Sequence, residues 1–239
     1  MKIQVIKCLQ DNYSYLIIDE SNLNACVVDP SEAKPIINFV ESNNINLKYI
    51  LNTHHHFDHI GGNLELKKRY NSNVVGFKGD KDRIPGIDTL VDDLKIWKEN
   101  NFEAKIYHIP GHTSGHIAFH FFKENKIFTG DTLFSLGCGR IFEGTYVQMF
   151  NSLKKIKALP KNTEIYCGHE YTLQNSHFCE AHASNNVQLK NKIAKIKDKL
   201  GNGLPTVPTI LNEEIQCNIF LKAKDIQSFS KLRDLKDNF

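Results

Sequence analysis

Histidines and an aspartate crowd into one short run, Thr53-His54-His55-His56-Phe57-Asp58-His59, which ends on Ile60-Gly61-Gly62. The apolar stretch Tyr49-Ile50-Leu51-Asn52 just before it reads as a buried strand. Along extended backbone alternate side chains share a face, so His54 and His56 aim at one object. Asp58 and His59 follow as the chain turns into the glycine pair, and they reach a second point close by. Several imidazoles and a carboxylate are hard to bury together unless a cation compensates them. Borderline metals such as zinc accept that mixture of nitrogen and oxygen donors. A solvated, histidine-rich surface loop is the bland alternative, and the ligand spacing weighs against it.

Three later positions extend the constellation, each at the end of an expected strand. His112 lies in Pro110-Gly111-His112-Thr113-Ser114-Gly115-His116, Asp131 in Thr129-Gly130-Asp131-Thr132, and His169 in Tyr166-Cys167-Gly168-His169-Glu170-Tyr171. A glycine before each lets the backbone turn sharply and approach an ion closely. Alone, each is an ordinary turn residue. Together with His54, His56, Asp58 and His59 they are more donors than one tetrahedral ion uses, and they suit two ions sharing a ligand. His55, His108, His116, His120, His177 and His182 are left over as surface or core-edge histidines.

The elements that must position these donors alternate between strand and helix. Strands are expected over 2–7 and 14–18, separated by Gln10-Asp11-Asn12, and over 25–28, ending at Asp29-Pro30. Ser31 is a good N-cap for a helix to Ser42, with Ile36, Ile37 and Val40 at helical spacing. After the strand at 49–52 come a helix near 63–70, a strand at 74–77 and a loop over 78–93 rich in Gly, Asp and Lys. Strands follow near 94–97, 103–108, 117–122 and 126–129. Thr145–Leu159 has helical spacing that Pro160 ends, and 164–167 is a last short strand. From Thr172 onward only helices are expected, near 172–183, 186–200 and 225–236, with a connector Gly203-Leu204-Pro205-Thr206-Val207-Pro208. The Lys-rich run 190–199 reads as the solvated face of an amphipathic helix with Ile193 and Ile196 inward. The pattern predicts a mixed α and β domain over 1–170 and a helical domain over 171–239.

Composition narrows the class. An apolar fraction of 41% and a mean hydropathy of −0.38 describe an ordinary soluble globular chain. A net charge of +3 and a pI near 8.4 are mild, whereas nucleic-acid domains more often exceed a pI of about 9. Cys8, Cys26, Cys138, Cys167, Cys179 and Cys217 contain no CxxC pair, which suggests reduced thiols in the cytoplasm. Met1–Lys7 is too short and charged for a signal peptide, and no apolar run has the length of a membrane span. No nucleic-acid or membrane partner is expected, and a monomer is the default.

The motifs THHHFDH, GHTSGH, GDT and GHEYT resemble those of the metallo-β-lactamase superfamily. The resemblance implies an α+β fold, a four-layer αββα sandwich, here with the helical domain appended. It implies that His54, His56 and His112 hold one ion, that Asp58, His59 and His169 hold the other, and that Asp131 bridges them. More narrowly the chain resembles the glyoxalase II family, the hydroxyacylglutathione hydrolases. Gln10-Asp11-Asn12-Tyr13, Gly137-Cys138-Gly139-Arg140-Ile141-Phe142-Glu143-Gly144-Thr145, Gly168-His169-Glu170-Tyr171-Thr172 and Pro205-Thr206-Val207-Pro208 carry that likeness over almost the whole length.

That family implies hydrolysis of an S-(2-hydroxyacyl)glutathione thioester, S-D-lactoylglutathione above all, by a hydroxide bridging two divalent ions. This is the second step of methylglyoxal detoxification. Zinc is the expected metal, and iron or manganese accept the same ligands. Asp58 would also orient the hydroxide. The resemblance places Arg140, Ile141, Phe142, His169 and Tyr171 at the substrate, with Lys222 and Lys224 from the helical domain. The family's Asn-Pro-Phe-x-Arg segment appears as Asn218-Ile219-Phe220-Leu221-Lys222, so a point donor replaces a fork at the glutathione carboxylate. A further basic position falls on Asp225, beside Lys224. The rival readings are a one-iron persulfide dioxygenase on the same fold, another hydrolase such as a lactonase, lactamase or nuclease, and a metal-binding scaffold without activity.

Overall fold

The computed structural model describes every residue, Met1–Phe239. The chain divides into two compact units, Met1–His108 with Gly115–Glu124, and Ile109–Ser114 with Asn125–Phe239. No helix is long and apolar enough to cross a membrane.

In the first unit, β1 (Lys2–Cys8), β2 (Asn12–Ile18), β3 (Asn24–Val28), β4 (Asn46–Leu51), β5 (Asn73–Phe77) and β6 (Ile87–Val91) form a sheet in sequence order. The first three strands are antiparallel, and β3 through β6 run parallel. Parallel neighbours need crossovers, which α1 (Ala33–Ser42) supplies before β4 and α2 (Phe57–Ile60) with α3 (Asn63–Tyr70) supply before β5. Ala33, Ile36, Ile37 and Val40 of α1 are buried in one core with Leu16, Val27, Leu47, Ile50, Leu66 and Val74. Each fully buried aliphatic side chain there contributes roughly 1.5–3 kcal/mol. β2 is buried along its whole length, as an inner strand covered on both faces must be. Ser31 is not the helix cap: Glu32 holds that position without a side-chain bond, and the Ser31 backbone N–H donates to Ser14 Oγ.

The stretch 78–93 is not all loop. It holds a 3-10 turn at Lys78–Asp80 and then β6, where Ile87, Thr89 and Val91 alternate with the more exposed Asp88 and Leu90. β7 (Ile96–Glu99), β8 (Phe102–His108) and β9 (Ile117–Phe121) form an antiparallel meander. β7 starts later than its sequence suggests because Leu94 takes a positive φ of 59°. His116 and His120 are core residues rather than edge histidines, at 0% and 3% exposed.

The second unit pairs β10 (Lys126–Gly130) in parallel with β13 (Glu164–Cys167), and β14 (Thr209–Ile210) adds antiparallel to β13. A small hairpin, β11 (Leu133–Phe134) with β12 (Gly137–Cys138), follows β10. The crossover from β10 to β13 carries α4 (Tyr146–Lys157), which starts at a capping box between Thr145 and Gln148. α5 (Thr172–His182), α6 (Val187–Gly201), α7 (Leu211–Cys217), α8 (Ile219–Lys222) and α9 (Ile226–Asp237) complete it. β14, α7 and α8 lie outside the sequence expectation; each is too short to show a period.

Lys192 also departs from expectation. It is 8% exposed, and its Nζ donates to Glu214 Oε1 at 2.7 Å, Glu213 Oε2 at 3.1 Å and Thr209 Oγ1 at 2.6 Å. Glu214 is fully buried and also accepts from Leu136 N at 2.8 Å and Asn218 Nδ2 at 3.1 Å. One carboxylate thus ties α6, α7, β14 and the hairpin turn together. Burial would lower the Lys192 pKa, but Glu214 and Glu213 outweigh it and the net shift is upward.

Candidate metal centre

The first unit brings His54, His56, Asp58 and His59 into one cluster. The His54 ring centroid lies 4.8 Å from that of His56 and 4.2 Å from that of His59. Asp58 Oδ2 is 3.7 Å from His59 Nε2. The one-turn α2 makes this compact, its first turn closed by the His59 N–H on the His56 carbonyl at 2.9 Å. The left-over His116 packs its ring flat on His54, 4.6 Å between centroids and 17° between planes.

Asp29, read from the sequence only as the end of a strand, is the hub behind these rings. It is 2% exposed; its Oδ1 accepts the Thr53 N–H at 2.7 Å and its Oδ2 accepts Thr53 Oγ1 at 2.6 Å. Oδ2 is also 3.1 Å from His59 Nδ1. Since the Thr53 hydroxyl spends its one hydrogen on Asp29, it must accept from His54 Nδ1, 3.0 Å away. Both rings therefore carry the proton on Nδ1 and present an Nε2 lone pair, tautomers assigned from the hydrogen-bond network. Asp29, His54 and His59 also offer donor atoms within 4.8 Å of one another. The hydrogen bonds assign Asp29 to the backs of the rings, not to an ion.

The second unit brings together His112, Asp131 and His169, each 5–6% exposed. Asp131 Oδ2 is 3.5 Å from His112 Nε2 and 3.2 Å from His169 Nε2. A bulge between Phe128 and Gly130 and a positive φ of 46° at Gly130 end β10 and set the chain direction entering Asp131. Gly111 also has a positive φ, 150°, whereas Gly168 does not, so a left-handed glycine precedes His112 and Asp131 but not His169. There the following residues fix the loop: Glu170 accepts Thr206 N at 2.9 Å and Thr206 Oγ1 at 2.7 Å.

The donor chemistry fits a divalent ion. His112 Nδ1 donates to the Arg140 carbonyl at 2.9 Å, so in the neutral ring Nε2 is an acceptor that faces the Asp131 carboxylate. Two acceptors at that separation are stable together only with positive charge between them, which an ion bound by both supplies. The cysteines are poorly suited to act as nucleophiles. Burial pushes all six thiols up, those of Cys167 and Cys179 to about 12, which disfavours the thiolate that attack requires.

The expected substrate residues divide by setting. Tyr171 stacks on His169 with centroids 4.6 Å apart and planes 4° apart, and the exposed Phe142 ring lies 5.2 Å from His112. Ile141 is half-buried, and Arg140 is exposed with Nε 3.7 Å from Asp237 Oδ1. Lys222 and Lys224 are exposed. Lys222 Nζ donates to the Gln216 carbonyl at 3.4 Å and lines a cavity of about 490 Å³ with His182, Asn185 and Gln188.

Fold and donors together define a member of the metallo-β-lactamase superfamily, whose family model matches residues 10–169. The solved structures agree on the fold: ETHE1 from Myxococcus xanthus superposes at a TM-score of 0.76 with 23% identity, covering 98% of this chain and 90% of that one. The BLEG-1 B3 metallo-β-lactamase gives 0.73 with 21% identity, covering 93% and 100%. Residues 170–239 match the hydroxyacylglutathione hydrolase C-terminus model. A hydroxyacylglutathione hydrolase of Pelagibacter ubique is 66% identical over 239 residues, all of both chains, and one of Methylococcus capsulatus is 39% identical over 100% of this chain and 99% of its own. The chain belongs to the hydroxyacylglutathione hydrolase family.

Proposed function

We propose that the protein hydrolyses S-(2-hydroxyacyl)glutathione, S-D-lactoylglutathione foremost, to glutathione and a 2-hydroxy acid. The observation that carries this is the joint occurrence of the binuclear-type donor set and the hydroxyacylglutathione hydrolase C-terminal segment over 170–239. In this reading 1–170 carries the metals and 171–239 carries much of the substrate site. His54, His56 and His112 would hold one ion and Asp58, His59 and His169 the other. Asp131 would serve both ions, a role its Oδ2 suits by lying near both His112 and His169.

When bound, the ions, zinc in this proposal, would supply Lewis acidity at the thioester carbonyl and a nucleophilic hydroxide at neutral pH. Asp58 keeps one carboxylate oxygen for orienting that nucleophile. Arg140 offers a bidentate fork to a glutathione carboxylate, with Lys222 and Lys224 as point charges. Ile141, Phe142 and Tyr171 give the thioester an apolar wall beside His112 and His169. No side chain need protonate the leaving group, because a thiol of pKa about 8.5 departs readily as thiolate. A cytoplasmic setting is in keeping with six buried cysteines that form no disulfide, and the protein in this reading is a monomer without nucleic-acid or membrane partners. Thiol release from S-D-lactoylglutathione is the test. Oxygen uptake with glutathione persulfide and no thiol release would overturn it in favour of a dioxygenase.

A further inference from the structure

Asp58 has two carboxylate oxygens, and the proposed function asks different things of them: one must ligate an ion and the other must face the nucleophile. A carboxylate rotating about its Cβ–Cγ bond would exchange the two. The structure contains a pair of hydrogen bonds that oppose this. At the tip of the β1–β2 hairpin, where Cys8 pairs with Asn12, the Asn12 side chain is 5% exposed. Its Nδ2 donates to Asp58 Oδ2 at 3.0 Å and to the Asp58 backbone carbonyl at 3.1 Å. The amide has two hydrogens, and these two acceptors lie on one residue 46 positions away in the sequence. Oδ2, the oxygen that takes the amide, is also the one 3.7 Å from His59 Nε2.

The hairpin tip is itself held. Leu9 turns with a positive φ of 50°, and its N–H donates to Glu32 Oε1 at 2.8 Å. Asn12 therefore reaches Asp58 from a hairpin tip that is tied back to Glu32.

We propose that Asn12 is a positioning residue of the reaction, which rests on the two-ion reading above. It selects Asp58 Oδ2 as the ligand to the ion shared with His59 and leaves Oδ1 for the nucleophile. A leucine at 12 keeps comparable volume and removes both donors. An aspartate at 12 keeps the shape and puts an acceptor where the donor was.

The test is stepwise metal titration of metal-free wild type, Asn12→Leu and Asn12→Asp with zinc against a chromophoric chelator, with far-UV circular dichroism on the same samples. Losing a hydrogen bond that orients a ligand raises a metal dissociation constant roughly ten- to hundredfold. The expected result is that rise at one of the two steps alone, with the other as in wild type. In the manganese-loaded variants the electron paramagnetic resonance signal of a spin-coupled pair is expected to give way to that of single ions. Equal weakening of both steps would mean a merely structural asparagine and would overturn the proposal, as would unchanged constants. If Asn12→Leu does not fold, Asn12→Asp decides on the same criteria. A wild type that binds one ion overturns the two-ion reading and this proposal together; a wild type that binds two, with variants like it, overturns this proposal alone.

Discussion

Replacing Asp29 by asparagine changes one atom in a buried hub and should be felt at the metal centre without any ligand being touched. The carboxylate now accepts from Thr53 N, Thr53 Oγ1 and His59 Nδ1. In Asp29→Asn the amide oxygen can keep the Thr53 N–H, but the amide nitrogen, a donor, replaces Oδ2. It then donates to Thr53 Oγ1 and to His59 Nδ1, which must become an acceptor. The His59 proton moves to Nε2, and the lone pair meant for the ion is lost. An outer-shell change of this kind costs about ten- to hundredfold in metal affinity, or about 1.4–2.8 kcal/mol. Each charge-assisted bond that becomes neutral also removes roughly 1 kcal/mol of folding stability. Chelator competition measures the first effect and urea denaturation the second, and nitrogen-15 shifts of His59 report the tautomer. A folded Asp29→Asn protein with wild-type affinity for both ions would refute the reasoning.

Glu214→Leu takes from the buried Lys192 its one fully buried carboxylate, leaving it Glu213 and Thr209, and should cost about 3–5 kcal/mol in urea denaturation, whereas adding Lys192→Met should restore part of that. Equal stability of the single and double variants would contradict it. His120 has its pKa lowered from 6.5 to about 4, by burial first and by the Lys105 charge second. Below pH 6.5 the unfolded chain binds the proton and the folded chain does not, so this residue's stabilisation falls as pH drops from about 6.5 toward 4. His120→Phe should flatten stability across that window; an unchanged slope would sink the assignment. Lys222→Ala should raise KM for glutathione thioesters more than it lowers kcat, and an unchanged KM would remove Lys222 from the substrate site.

Local patterns carried much of this structure in the sequence. α1 shows its buried stripe through Ile36, Ile37 and Val40, and α4 announces its start by Thr145. β6 was hidden because Gly, Asp and Lys dominate 78–93, although Ile87, Thr89 and Val91 alternate as an edge strand should. Ser31 looks like a cap because its residue type suits one, yet the β2 hydroxyl of Ser14 claims its N–H. Lys192 looks solvated because its neighbours in sequence are lysines; its partners Thr209, Glu213 and Glu214 come from a later segment. At the candidate site the donors are legible because residues of one type cluster at strand ends. The groups that aim them are not. Asp29 acts on Thr53 and His59 from 24 and 30 residues away, and Asn12 acts on Asp58 from 46. No local period records such pairs; the signal available was only that Asp29 ends a buried strand, as the donors do.

The central claim is that two ions share Asp131. The direct measurement is metal content per chain by elemental analysis of wild type and Asp131→Ala, with thiol release from S-D-lactoylglutathione followed on the same samples. The account predicts close to two ions and turnover for wild type, and loss of nearly all metal and of turnover for Asp131→Ala. One ion per wild-type chain, or two ions retained by Asp131→Ala, would contradict it.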